Sequence, residues 1–74
     1  MQIIKETVAL AKRRFKGQPI RLWYVNFHNK KYRAIIFNAE NKVVLLRGPL
    51  KNTPELAVGS IKETLTSALL KKTV

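Results

Sequence analysis

The sequence predicts a small α+β protein, a two-layer sandwich in the order α-β-β-β-α, with a three-stranded antiparallel meander and two helices on one face. Three observations predict it. Apolar residues recur at helical spacing at both ends of the chain, and β-branched and aromatic residues gather in the middle. The middle segments are joined by connections too short for the crossover that a parallel pair requires.

The first element is a helix over residues 2–15. Ile4, Val8, Ala11 and Phe15 form one stripe, widened by Ile3 and Thr7, while Lys5, Glu6, Lys12 and Arg13 take the other side. Gly17 supplies a C-terminal stop and Pro19 bars continuation. Residues 20–27 (IRLWYVNF) read as a strand, His28-Asn29-Lys30 as a turn, and residues 31–38 (KYRAIIFN) as a second strand. Asn38-Ala39-Glu40-Asn41 makes a second turn, and residues 42–47 (KVVLLR) make the third strand before Gly48-Pro49 closes the sheet. The last helix has two signals for its start. Thr53-Pro54 suits a cap followed by proline at the first helical position, and Ser60-Ile61-Lys62-Glu63 is a capping box. With Gly59 between them, the expectation is one turn, a weak point, and a main helix to about Lys72 whose stripe is Ile61, Leu65, Ala68 and Leu69. The expected core is Leu22 or Trp23, Ile35 or Ile36, Val44, Leu46, Ile61 and Leu65.

Length and composition narrow the function. Seventy-four residues make one domain, residues 1–74, near the lower limit for folding without a staple. A chain that begins at Met reads as a complete small protein. There is no cysteine and only one histidine, His28, so no disulfide, metal centre or cofactor is expected. The N-terminal charges follow the apolar residues, the reverse of a signal peptide, and no apolar run reaches the roughly 18 residues of a membrane span. The expected setting is the cytoplasm.

Charge is the strongest functional signal. Fifteen Lys and Arg face four acidic residues, a formal charge of +11, in a chain that is 46% apolar and can still build a core. Self-repulsion of that size costs stability in a small domain and points to a polyanionic or acidic partner. Lys12, Arg13, Arg14 and Lys16 place four cations in five residues at the end of the first helix. The helix dipole there favours one or two of them and leaves the others to a partner. Lys30, Lys31 and Arg33 add a basic hairpin, which pairing brings close to Arg21. These eight residues are the expected binding surface, with the helix end and the hairpin meeting at one end of the sheet.

Aromatic residues interleave with the charge. Arg21, Trp23, Val25 and Phe27 alternate onto one face of the first strand, opposite Leu22, Tyr24, Asn26 and His28. On the second strand Tyr32, Ala34 and Ile36 oppose Lys31, Arg33, Ile35 and Phe37. Rings and cations sharing a face is what single-stranded nucleic acid requires, since bases stack while phosphates meet charge. In so small a domain Trp23 and Phe27 are expected in the core, leaving Tyr24 and Tyr32 as the candidate stacking rings. His28 lacks a nearby carboxylate to orient it, so a solvated or phosphate-contacting role is expected and no catalytic residue is assigned.

The element order, length and basic charge resemble the double-stranded-RNA-binding domain over nearly the whole chain. The resemblance implies that fold, and phosphate contacts from a Lys-rich run at the start of the last helix. Here that stretch, ELAVGSIKETLTSALL, offers Lys62, with Lys51 in the preceding loop and Glu55 and Glu63 where the family carries cations. The ELAVGSIKETL stretch and the placement of His28 near a strand end are also similar to small messenger-RNA-cleaving toxins of toxin–antitoxin pairs, without their Gly-Ser-His context. The leading expectation is a non-enzymatic nucleic-acid-binding protein, for RNA or DNA. The alternatives are a small phage- or plasmid-type protein that docks on and inhibits an acidic host protein, and a ribonuclease toxin. An exposed sheet edge also allows a homodimer.

Overall fold

The computed structural model describes residues 2–71, the side chain of Lys71 excepted; the expected helix end at Lys72 lies outside the described residues. The order is helix α1 (Gln2–Arg14), strands β1 (Ile20–Phe27), β2 (Lys31–Asn38) and β3 (Val44–Arg47), and helix α2 (Pro54–Lys71). The strands form one antiparallel meander in the order β1-β2-β3, so both expected hairpins form. Helix α1 ends because Gly17 turns the chain at φ +83°, a conformation that costs a residue without Cβ nothing. Asn38 organises the second hairpin: its side-chain oxygen accepts from the backbone N–H of Glu40 (2.8 Å) and Asn41 (3.2 Å).

Register decides what each strand presents. Leu22 faces Ile36, Tyr24 faces Ala34 and Asn26 faces Tyr32 on one side of the β1–β2 pair; Arg21 faces Phe37, Trp23 faces Ile35 and Val25 faces Arg33 on the other. On β3, Leu46 opposes Ile36, Arg47 opposes Ile35 and Val44 opposes Phe37. Leu45 is the extra residue of a bulge, and it packs against the core. Past β3 the chain keeps following β2: the N–H of Gly48 donates to Ala34 at 3.0 Å, and Tyr32 and Lys51 exchange both backbone bonds.

Both helices cover the Ala34–Ile36 face. The buried cluster joins Ala11 of α1, Ala34 and Ile36 of β2, and Ala57, Val58, Ile61 and Leu65 of α2, with Ile20, Leu22 and Leu46 packed against it. Thr7 is fully buried on α1, and its hydroxyl donates to the Ile3 carbonyl at 2.7 Å, which satisfies it inside the helix.

Three expectations are corrected here. Trp23 is 60% exposed and Val44 50% exposed, because both lie on the face that the helices leave open; Leu22 and Ile36 are the core members of their pairs. Phe27 is likewise exposed. Helix α2 runs through Gly59 without a break, and Thr53 is its cap, its hydroxyl oxygen accepting the N–H of Leu56 at 3.1 Å. Ser60 lies inside the helix, held there by the burial of Ala57 and Val58 in the preceding turn. The third strand starts at Val44 rather than at residue 42, since Lys42 takes a left-handed conformation (φ 62°) that closes the hairpin.

Candidate functional site

Four arms of the same physics build the open sheet face: strand alternation, register, a missing third layer and an uneven charge distribution. Alternation sends Arg21, Trp23, Val25 and Phe27 from β1, and Lys31, Arg33, Ile35 and Phe37 from β2, to the side away from the helices. Val44 and Arg47 extend that face onto β3. The strands contain no Asp or Glu, whereas Glu6, Glu55 and Glu63 sit on the helices and Glu40 in a turn. The face is therefore apolar and aromatic at its centre and cationic around it.

The centre has definite geometry. Trp23 meets Phe37 edge to face, with ring centroids 5.3 Å apart and planes at 81°. The Lys42 ammonium stands 5.8 Å from the Phe37 centroid and donates to the Ala39 carbonyl at 3.0 Å, which fixes this cation over the ring. Trp23, Val25, Ile35, Phe37, Lys42 and Val44 line a shallow groove of about 270 Å³. At the hairpin end the Lys31 ammonium donates to the Asn52 side chain. Arg33, on the central strand, has a buried Nε with no hydrogen-bond partner among the described residues.

The expected surface is divided by the topology. Pro19, just beyond α1, accepts a hydrogen bond from Ala39, and β1 begins there opposite Asn38; the hairpin at residues 28–30 follows the last pair, Phe27 with Lys31. Seven residues of strand, about 23 Å, separate the two ends. Lys12, Arg13, Arg14 and Lys16 therefore do not converge with Lys30, Lys31 and Arg33. Arg21, opposite Phe37, belongs to the α1 end and not to the hairpin. What joins Arg21 to Arg33 and Lys31 is the open face itself. Within the α1 group, Arg14 is partly buried with its guanidinium 5.2 Å from the Phe15 centroid, while Lys12, Arg13 and Lys16 are exposed.

Of the two expected stacking rings, Tyr24 is exposed as expected, 43% against 38% for Phe27, and Tyr32 is half-buried. Tyr24 and Tyr32 lie on the helix side near the hairpin, edge to face with centroids 6.4 Å apart, and Tyr32 packs against the core. The exposed rings on the open face are Trp23 and Phe27. Lys42 and Arg47 also belong to this surface and were not expected there. The signal for Arg47 was register, since a residue opposite Ile35 must share its face; Lys42 depended on a turn conformation that composition does not reveal.

The helix layer offers less. A hollow of about 510 Å³ is lined by Ile3, Gly59, Lys62, Glu63, Thr66 and Ser67, and there Lys62 is paired with Glu6 at 2.6 Å. His28 is exposed in its turn and, among the described residues, has no side-chain partner. The described residues contain no group of three His, Asp or Glu able to hold a metal ion, and no described helix is long and apolar enough to cross a membrane. No protein family model, curated protein or solved structure matches the chain.

Proposed function

We propose that this chain is a nucleic-acid-binding protein that acts by binding and performs no chemistry, and that the open face of its sheet is the surface it uses. One observation carries the reading: Arg21, Lys31, Arg33, Lys42 and Arg47 surround an exposed aromatic groove built on three strands that contain no carboxylate. An acidic residue among them would neutralise the rim and repel phosphate. Among the described residues the ion pair, Lys62 with Glu6, lies in the helix layer, and none of the five cations of the open face takes part in one. Phosphates supply affinity through such a rim without reading sequence. Lys12, Arg13 and Lys16, exposed beyond the Arg21 end, extend the same positive field and raise the association rate.

The test is a salt series of binding to an oligonucleotide. If the five cations of the face each meet a phosphate, log K falls with log salt at a slope of about −3.5 on a single strand. Replacing Arg21, Arg33 and Arg47 together by Ala flattens that slope by about two units. An Arg13→Ala, Arg14→Ala double variant lowers affinity with a smaller change in slope. A slope near zero, or equal flattening by the two sets, contradicts the reading. Specific capture of an acidic protein from nuclease-treated lysate, with no nucleic-acid binding, replaces it by the inhibitor alternative.

A further inference from the structure

We infer that the open face is a platform for single-stranded nucleic acid, in which Trp23 and Phe27 each take a base while the surrounding arginines take phosphates; this deepens the nucleic-acid reading and rests on it. A duplex presents its phosphates outward and keeps its base faces stacked, so it has no use for an exposed ring on a flat sheet. A single strand has unstacked bases and gains from every ring it meets.

Four features of the face fit that occupant. Trp23 is the largest exposed side chain of the surface, and its edge contact with Phe37 holds the indole in place while leaving it 60% exposed. A ring already fixed in position loses little freedom when a base stacks on it. Phe27 lies four residues further along β1 on the same face, about 13 Å away, far enough for the two rings to take different bases. Between them Val25 pairs across to Arg33, whose buried Nε has no partner among the described residues. Register sets Arg33 beside the stretch of β1 that separates the two rings, which is where a phosphate linking two stacked bases would pass. The groove beside Trp23 is lined almost wholly by apolar side chains, with Lys42 at its edge, which suits a base face bounded by a charged backbone. The charge of the rim disfavours a second copy of the chain as occupant, because two such faces would meet with like charges opposed.

Trp23 is the only tryptophan, so its fluorescence reports the proposed contact directly. The wild-type protein is titrated with an oligothymidylate of about twelve nucleotides, with a blunt duplex of equal length, and with inorganic polyphosphate, a polyanion without bases. The oligothymidylate is expected to quench Trp23 and to bind at least about tenfold tighter than the duplex, while polyphosphate binds without quenching. Trp23→Leu is expected to weaken oligothymidylate binding by roughly tenfold to a hundredfold and leave polyphosphate binding unchanged, with Trp23→Phe intermediate. Oligothymidylate binding that is salt-dependent but leaves Trp23 unquenched overturns the platform and leaves the nucleic-acid reading standing. Failure to bind any of the nucleic acids overturns both. Dilution-dependent fluorescence with a dimer in sedimentation, and no response to oligothymidylate, assigns the face to a second copy and overturns the platform.

Discussion

Trp23 covers Phe37: the two rings meet edge to face at 5.3 Å on the open side of the sheet, leaving Phe37 8% exposed and Trp23 60% exposed. The pair makes a second, small apolar layer on a face that neither described helix covers. Its energetic weight differs from that of the true core. Trp23→Ala is expected to cost about 1 kcal/mol, the order of one aromatic pair. Leu65, 1% exposed between α2 and the sheet, is expected to cost about 2–5 kcal/mol when cut to Ala, enough to unfold much of so small a domain. Urea unfolding followed by circular dichroism measures both; equal losses would mean that Trp23 is a core residue.

The two cap signals of α2 separate in the same assay. Thr53→Ala removes the acceptor for the Leu56 N–H and is expected to cost about 0.5–2 kcal/mol. Ser60→Ala, inside the helix, is expected to be neutral or slightly stabilising. The reverse order would return the start of the helix to Ser60.

Glycines 48 and 59 should respond with opposite signs. A Cβ on Gly48 would stand 3.0 Å from Cγ1 of Ile61, so Gly48→Ala is expected to cost about 1–3 kcal/mol through overpacking. A Cβ on Gly59 would meet only Cδ1 of Ile3, at 3.7 Å, an ordinary contact. Gly59→Ala is expected to stabilise the protein by about 0.5–1 kcal/mol through helix propensity. Thermal midpoints of the two variants check this.

Arg33 links stability to binding. Its Nε is buried without a partner among the described residues, so Arg33→Met, which keeps the stem and removes the polar head, is expected to leave stability within about 1 kcal/mol of wild type. Oligonucleotide affinity is expected to fall in the same variant. A loss of stability above about 2 kcal/mol would make Arg33 a structural residue.

The element order and the bounds of β1 and β2 were legible because β-branched and aromatic runs are interrupted at residues 28–30 and 38–41 by turn residues. Alternation also gave the two faces of β1 and β2 correctly, but not which of them the helices cover. Both are apolar: Leu22, Ala34 and Ile36 on one, Trp23, Ile35 and Phe37 on the other. Ring size suggested burying Trp23. The deciding signal was charge, since the covered side of the β1–β2 pair has no Lys or Arg and the open side has Arg21, Lys31 and Arg33. Small Ala34, beneath Ile61 and beside Gly48, lets α2 approach the sheet, a packing relation between distant segments that no local pattern contains. The clustering of the α1 end with the hairpin failed for a similar reason: it depended on which end of β1 each segment meets.

Amide chemical-shift mapping tests the central claim most directly. Isotope-labelled protein is titrated with a short single-stranded oligonucleotide, and each backbone amide and the Trp23 indole N–H are followed. The largest shifts are expected at the indole and along Arg21–Phe27, Lys31–Phe37 and Val44–Arg47, with Ala57–Leu65 on the far side of the core nearly unmoved. Shifts concentrated on the helices, with the indole and the strands unchanged at saturation, would contradict it.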